Sequence, residues 1–278
     1  MKLVRYGARG SEKPGVLDNE GKLRDASAVV ADWRGAFLGA EVLAKITPEK
    51  LPPVEGSVRF GAPVSGIGKI IGIGLNYREH AAESGMALPD DPIIFLKATS
   101  AVNGPNDDIV LPRDSEKTDW EVELGVVIGA GGKNIRREDA MRHIAGYVLA
   151  NDISEREFQL RRGPQWTKGK SGDTFAPLGP WLATRDEIPD PQNLQLQTDL
   201  NGKTMQSGST ADMHFGVEEL ISRVSSYMSL QPGDIMITGT PPGVGFGQKP
   251  PRYLRPGDSL RLCITGLGEQ NARIAAPE

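Results

Sequence analysis

Short apolar runs separated by turn-forming residues dominate the chain from about residue 67 onward. The runs are KIIGIGL, PIIFLK, DIVLP, VELGVVIG, AGYVLAND, DIMITGT and SLRLCITG. Several of them alternate apolar and polar positions and are rich in β-branched residues, which predicts β-strands. Pro-Gly-Asp turns precede two runs, at 232–234 and 256–258. The pattern predicts a β-rich α+β fold, and the lack of a regular β-α-β alternation argues against a doubly wound sheet.

Helical periodicity is confined to three inserts, REHAAES, RREDAMRHI and FGVEELISRVSSYMSL. Before residue 60 the chain has strand-like pieces, KLVRYG and PGVLD, and then prolines accumulate in ITPEKLPPVEGS. Because proline fixes its own φ and disfavours helix in the preceding residue, this segment indicates the exit from a small unit. We predict a small N-terminal domain over 1–62 and the main domain over 67–278.

Composition and charge exclude several classes of protein. The 278 residues contain 32 Lys and Arg against 36 Asp and Glu, a net charge of −4, and no basic block typical of a nucleic-acid binder. The single cysteine, Cys263, cannot form a disulfide within the chain. The N-terminus lacks an apolar stretch of signal-peptide length, and no apolar run approaches the roughly 18 residues of a membrane span. We expect a cytoplasmic protein that binds a small molecule and neither nucleic acid nor a membrane.

Acidic residues in the stretch DWEVELGVVIG are candidates for a metal site. Glu121 and Glu123 lie two residues apart on a predicted strand, so both side chains project from one face. An exposed acidic strand edge explains this pair equally well. However, Asp152 ends AGYVLAND, a strand that could return beside the first. Three carboxylates at strand ends offer hard oxygen ligands, which suit Mg²⁺ or Mn²⁺ better than zinc.

A histidine and a glutamate three residues apart are candidates for catalysis. His80 and Glu83 fall in REHAAES, where two alanines favour a helix and Gly85 favours its end. A carboxylate beside an imidazole orients the ring and raises its basicity, as in a general base that activates water. The commoner alternative is a surface turn with an incidental pair. The stretch WTKGKSGDTFAPLGP predicts a loop with two lysines, Lys168 and Lys170, and their spacing does not choose between them.

Five stretches in this order resemble the fumarylacetoacetate hydrolase family. They are NYREHAAESG, the EVE of 121–123, NDISEREFQ around Asp152, TKGKSGDTFAPLGP, and TGTPPGVG at 238–245. The resemblance implies a mixed β-sandwich roll, a small N-terminal domain, a homodimer and a Mg²⁺ or Mn²⁺ site. Plain acylpyruvate hydrolases of the family tend to have arginine before the Asn-Tyr of the first stretch, where this chain has Leu75. Within the family, the chain is more similar to bacterial hydrolases of 2,4-diketo-3-deoxy-L-rhamnonate or fuconate.

The resemblance also implies roles for nine residues. The implied metal ligands are Glu121, Glu123 and Asp152, the implied catalytic residues are His80, Glu83 and Lys170, and the implied substrate contacts are Arg156, Gln159 and Thr240. The implied reaction is hydrolysis of a carbon–carbon bond in a 2,4-diketo acid, here a diketo-deoxy sugar acid, with release of pyruvate and a second acid.

Other functions would use the same residues. The site could serve decarboxylation, isomerisation or hydration of a 2-keto acid, or ureidoglycolate cleavage. A metal-dependent binder of small acids without catalysis is a more distant alternative. The complete pair of His80 and Glu83 argues against a binder, since binding alone has no use for a base.

Overall fold

The computed structural model describes residues 1–83, 85–163 and 165–277. The strands in chain order are β1 (Lys2–Tyr6), β2 (Lys13–Leu17), β3 (Leu23–Asp25), β4 (Phe60–Gly61), β5 (Ile70–Gly74), β6 (Ile93–Lys97), β7 (Val102–Asn103), β8 (Ile109–Val110), β9 (Thr118–Asp119), β10 (Val122–Ile128), β11 (Ile144–Asn151), β12 (Ser154–Glu155), β13 (Ala176–Thr184), β14 (Gln195–Leu200), β15 (Lys203–Ser209), β16 (Ile235–Ile237), β17 (Ser259–Ile264) and β18 (Gly268–Ala275).

The helices are few and short. The α-helices are α1 (Ala40–Leu43), α2 (Arg78–Glu83), α3 (Arg156–Leu160), α4 (Thr167–Lys170) and α5 (Val217–Tyr227), and the 3-10 helices are Gly35–Leu38, Pro48–Lys50, Thr99–Ala101, Arg137–His143, Arg185–Glu187, Thr210–Asp212 and Gly245–Gly247. Within the described ranges, no helix has the length and apolar character needed to cross a membrane.

Two mixed sheets pack face to face around one apolar core. The larger sheet has the order β3-β2-β1-β13-β11-β10-β16-β5-β6, with β4 beside β1 and β7 beside β13. Along this order only β16 and β5 pair in parallel. The smaller sheet has the order β15-β14-β17-β18-β8, and its inner face contacts β10, β11 and β13. The prediction of a β-rich fold with a mixed β-sandwich roll is confirmed.

The N-terminal strands extend the larger sheet. β1 pairs with β13 through Lys2 opposite Ala183 and Leu3 opposite Leu182. The fully buried Trp33 belongs to the common core, and its indole Nε1 donates to the Gly15 carbonyl at 3.0 Å. Residues 1–62 therefore share both a sheet and a core with the rest of the chain. The division between 1–62 and 67–278 stays a prediction.

Two local predictions differ from the structure. The segment predicted as an α-helix around 137–143 is a 3-10 helix. The segment predicted as a loop around Lys168 and Lys170 contains α4 and leads into β13. In β13 two prolines and a glycine interrupt the apolar sequence, and the strand is buried on both faces, so it shows no alternation that would reveal it.

Asn76, in the stretch NYREHAAESG, joins three parts of the main chain. Its fully buried Nδ2 donates to the Phe215 carbonyl at 3.0 Å and to the Thr238 carbonyl at 2.8 Å. Its Oδ1 accepts from the Phe215 amide at 2.8 Å. The end of β5 is thereby fastened to the end of β16 and to the segment before α5. Asn76 has a structural role that positions the helix α2 behind it.

We predict that Asn76→Ala lowers the free energy of unfolding by roughly 2–4 kcal/mol, because it leaves buried backbone groups without a partner. Urea denaturation monitored by circular dichroism would measure the loss. The matched control is Asn271→Ala, whose side chain is exposed on β18, and it should change stability by less than about 0.5 kcal/mol. Similar losses in both variants would contradict the assigned role.

Candidate active site

The register of two neighbouring strands gathers three acidic residues. Val122 of β10 lies opposite Asn151 of β11, so Glu121 and Asp152 come just beyond the same end of the pair. The Asp152 amide donates to the Glu121 carbonyl at 2.9 Å. Glu121, Glu123 and Asp152 each offer a carboxylate oxygen, all within 4.8 Å of one another, and all three are buried. The predicted metal ligands thus form one cluster.

Two buried lysines contact this cluster. Lys170 Nζ donates to Glu121 Oε2 at 2.7 Å and to Asp152 Oδ2 at 2.6 Å. Lys97 Nζ donates to the other carboxylate oxygen of Asp152, Oδ1, at 2.5 Å. By contrast, Lys168 is exposed, and its Nζ donates to the Arg162 carbonyl at 2.6 Å. Of the two lysines that spacing left open, the structure places Lys170 at the cluster.

Burial and neighbouring charges shift the pKa values of these groups in opposite directions. Burial, followed by the charges of Asp152 and Glu121, raises the pKa of Glu123 well above its ordinary value. Burial also acts to raise the pKa of Glu121, but Lys170 and Arg156 outweigh it and lower that pKa. Burial acts to lower the pKa of Lys170, but the charges of Asp152 and Glu121 outweigh it and raise that pKa. Glu121 and Lys170 therefore form an ion pair beside a carboxyl group that is less easily ionised.

Sequence reasoning missed Lys97. It ends β6, where Phe95 and Lys97 share a buried face of the strand. Burial is the main cause that lowers its pKa, against the opposing charge of Asp152. A lysine on the buried face of an apolar strand is rare without a paired charge. The position of Lys97 at the end of the apolar run PIIFLK was the signal from which a buried ion pair could have been predicted.

Sequence reasoning also missed Asp119, although it precedes Glu121 by two residues, the same spacing that joined Glu121 with Glu123; the structure places it at the end of β9. Its fully buried carboxylate accepts from the Gly245 amide at 2.6 Å and the Phe246 amide at 2.9 Å. Arg156 Nε and Nη2 donate to Asp119 Oδ2 at 2.9 and 2.7 Å. Asp119 therefore fixes Arg156 against the 3-10 turn at Gly245–Gly247.

The predicted substrate contacts lie around the cluster. Arg156 Nη2 also contacts Glu121 Oε1 at 2.7 Å, and its Nη1 donates to Gln159 Oε1 at 3.1 Å. Thr240 Oγ1 donates to the Val122 carbonyl at 2.9 Å. The three predicted substrate contacts and the three carboxylates thus occupy adjoining positions on α3, at the start of β10, after β11 and after β16.

Helix α2 carries the predicted base and its partner to the same place. His80 Nδ1 and Glu83 Oε2 are 3.3 Å apart. Both carboxylate oxygens of Glu83 accept from the Gly243 amide at 3.1 Å. Burial acts to raise the pKa of Glu83, but its hydrogen bonds with His80 and Gly243 outweigh it and lower that pKa. The pair is therefore held against the loop after β16, unlike an incidental pair on a free surface.

A cavity of about 130 Å³ connects these groups. Its polar lining consists of His80, Glu121, Glu123, Arg156, Gln159, Lys170 and Thr240. A larger cavity of about 630 Å³ lies beside Leu38 and Arg185 and contains none of the nine predicted site residues. Because charged and titratable groups converge in the smaller cavity, we identify that one as the candidate active site.

Comparison with known proteins identifies the family of the chain. The family model described as "Fumarylacetoacetate (FAA) hydrolase C-terminal" matches residues 69–275. A relative from Burkholderia multivorans is 56% identical over 274 residues, which cover 97% of each chain.

Two solved structures are similar over almost the entire chain. The fumarylacetoacetate hydrolase of the psychrophile Exiguobacterium antarcticum is 34% identical with a TM-score of 0.88, and 99% of each chain is covered. The maleylpyruvate hydrolase of Sphingobium sp. SYK-6, solved in complex with manganese(II) and pyruvate, is 28% identical with a TM-score of 0.82, and each chain is covered completely. The fold, the motif order and these matches together show that the chain belongs to the fumarylacetoacetate hydrolase family.

Proposed function

We propose that the protein is a metal-dependent hydrolase that cleaves a 2,4-diketo acid between carbons 3 and 4 and releases pyruvate and a second acid. One observation carries the proposal. Glu121 and Glu123 of the buried acidic cluster and His80 of the histidine pair line a single cavity, while Asp152 and Glu83 lie directly beside them. A cation-binding cluster and a base that can activate water are the two parts that this hydrolysis needs.

The three carboxylates fit a hard divalent cation. They supply only oxygen ligands, they are buried, and their oxygens lie within 4.8 Å of one another. Glu121, Glu123 and Asp152 would hold Mg²⁺ or Mn²⁺. The bound ion would supply a Lewis acid for the carboxylate and 2-keto oxygen of the substrate. The similar maleylpyruvate hydrolase was solved with manganese(II) and pyruvate, which supports a metal and a keto acid at this site.

The side chains around the cluster supply the proton transfers. With its Nδ1 proton directed at Glu83, the His80 ring presents Nε2 as the base that takes a proton from water. The water oxygen bonds to carbon 4, and the bond between carbons 3 and 4 breaks. Its electron pair stays on carbon 3 as the enolate of pyruvate, which then takes up a proton.

Cationic and polar side chains hold the substrate through this reaction. The ammonium group of Lys170 lies against Glu121 and Asp152, where it can stabilise the charge of the enolate as it forms. Arg156, Gln159 and Thr240 line the same cavity and can fix the remaining oxygens of the substrate.

Isomerisation is the second candidate. A structure from Mycobacterium abscessus, named as a probable 2-hydroxyhepta-2,4-diene-1,7-dioate isomerase, is 35% identical to this chain and covered completely. An isomerase would use the same enolate stabilisation without attack by water. Release of pyruvate from a 2,4-diketo acid distinguishes hydrolysis from isomerisation.

The expected homodimer and cytoplasmic location stay predictions.

We predict that a chelator abolishes activity and that Mg²⁺ or Mn²⁺ restores it, because the proposed ligands are hard oxygen donors. Pyruvate release from acetylpyruvate, coupled to lactate dehydrogenase, would measure the rate. The coupling enzyme is assayed with pyruvate in the same chelator as a control. Full activity in the metal-stripped protein would contradict the proposed site.

We predict that Lys170→Ala lowers kcat by roughly 10²–10³, because it removes a charge that faces the developing enolate. Lys168→Ala is the matched control from the same helix, and it should change kcat by less than about twofold. Steady-state kinetics with saturating Mg²⁺, and circular dichroism to verify folding, would compare the two variants. Equal losses would show that the lysine assignment is wrong.

We predict that His80→Ala lowers kcat by roughly 10²–10⁴, the usual contribution of a general base. Glu83→Gln should cost less, since glutamine keeps a side chain that can hold the ring. Mn²⁺ affinity, measured by electron paramagnetic resonance, should stay unchanged in both. His143→Ala, outside the cavity lining, is the control. A His80→Ala variant with a near wild-type rate and bound metal would refute the role of the base.

A further inference from the structure

The active-site cavity has a charged part and an apolar part. The charged part consists of the polar lining residues described above. The apolar part combines a wall of Ile73, Leu75, Phe95, Trp166 and Val244 with a rim, which we define as Met86, Leu160 and Phe246. A substrate whose carboxylate lies at the acidic cluster would therefore extend its other end along apolar side chains.

The three rim residues expose unusually large apolar surfaces. Met86 is 51% exposed, Leu160 44% and Phe246 45%. They come from three separate parts of the chain, namely the segment after α2, the end of α3 and the 3-10 turn at Gly245–Gly247. Their convergence on one cavity creates an exposed apolar patch around a concave site, which is typical of a ligand-binding surface.

Glycines on β5 make room for the aromatic side chains of the wall. A Cβ on Gly72 would lie 2.2 Å from Phe95 Cζ, and a Cβ on Gly74 would lie 2.5 Å from Trp166 Cζ3. The rings of Phe95 and Trp166 have centroids 5.7 Å apart and are tilted by 52°. Two positions on β5 thus lack a side chain where these rings pack, which keeps an aromatic surface inside the cavity.

The polar lining lies at the charged part of the cavity, and the eight residues of the wall and the rim have apolar or aromatic side chains. Glu121 binds Lys170 and Arg156, and Thr240 Oγ1 donates to the Val122 carbonyl. A chain with several hydroxyl groups would lose water against the rim and the wall without gaining equivalent hydrogen bonds. Each buried hydroxyl left unpaired weakens binding by about tenfold or more.

We propose that the rim and the wall bind an apolar acyl group, alkyl or aryl, so that the preferred substrate is an acylpyruvate with an apolar acyl group and not one whose acyl group is polyhydroxylated. The reaction assigned to this substrate rests on the proposed function. Binding of the apolar chain does not depend on the proposed function, because it follows from the lining of the cavity alone. The sequence motifs indicated a diketo-deoxy sugar acid as substrate. Preference for that sugar acid is the result that would contradict the proposal.

Binding of 2-oxo acids without a 4-keto group tests the proposal independently of turnover. Isothermal titration calorimetry with Mg²⁺ would compare pyruvate, 2-oxobutanoate, 2-oxohexanoate and 2-oxooctanoate. The matched probe is 2-keto-3-deoxygluconate, which has the six carbons of 2-oxohexanoate plus hydroxyl groups. We expect each added methylene to lower Kd by about fourfold while it is buried, and 2-oxohexanoate to bind at least about tenfold tighter than the matched sugar acid. A Kd that is independent of chain length, or tighter binding of the sugar acid, would overturn the proposal.

Variants of the rim residues test whether the rim contacts the apolar acyl chain. Leu160→Asn and Phe246→Ser should each raise the Kd of 2-oxooctanoate by about tenfold, since apolar contact is lost, with the Kd of pyruvate unchanged. Val29→Ser is the control, because Val29 is also exposed, at 53%, but lies outside the cavity lining. Equal effects on both 2-oxo acids would show that the rim does not contact the acyl chain.

Kinetics separate this inference from the proposed reaction. Acetylpyruvate, hexanoylpyruvate and 2,4-diketo-3-deoxyrhamnonate would be assayed for pyruvate release. If none is cleaved while Kd still falls with chain length, the proposed reaction fails and the specificity stands. If the sugar acid has the highest kcat/KM, the specificity fails and the reaction stands.

Discussion

Repulsion among three buried carboxylates is the constraint on which the site depends. Glu121, Glu123 and Asp152 lie within 4.8 Å of one another, away from water that would screen them. Two of the surrounding elements each end in a lysine directed at the cluster: Lys97 closes β6 and Lys170 closes α4. Each cation is itself costly to bury and becomes tolerable only beside the acids. The acids and the cations therefore stabilise one another, and the elements that carry them must meet at one point.

The loop after β16, residues 238–247, connects separate parts of the site through hydrogen bonds from its backbone amides. It donates hydrogen bonds to Glu123 of the acidic cluster, to Glu83 of the histidine pair and to Asp119, the partner of Arg156. Close approach makes glycine necessary here, since Gly243 has a φ of +100° and a Cβ there would lie 2.0 Å from the Met205 carbonyl oxygen. One segment thus sets the distances between the candidate metal ligands, the base and the substrate contacts.

The charged residues proposed for the reaction and the apolar residues proposed to select the substrate occupy different parts of the cavity. Under the proposed function, the charged part of the cavity would stabilise the enolate of a 2-keto acid, and enolate stabilisation serves hydrolysis and isomerisation alike. In the proposed function, water activation by His80 would direct the site to hydrolysis. The rim of Met86, Leu160 and Phe246 lies on turns and helix ends, so it can vary without disturbing the buried ion pairs. A change of substrate specificity through the rim would therefore leave the acidic cluster intact.

Local patterns in the sequence determined the β-rich class and nine of the eighteen strands that the structure describes. They also determined the pairing of Glu121 with Glu123, because side chains two apart on a strand share a face whatever surrounds them. The order of the motifs was sufficient to indicate the family. Only the tertiary structure decided that Lys97 reaches Asp152, 55 residues away in sequence, and that Asp119 holds Arg156. These contacts depend on strand order and on how short helices pack across the ends of the strands. Neither leaves a periodic signal in the sequence, since the interactions that fix them join residues far apart along the chain.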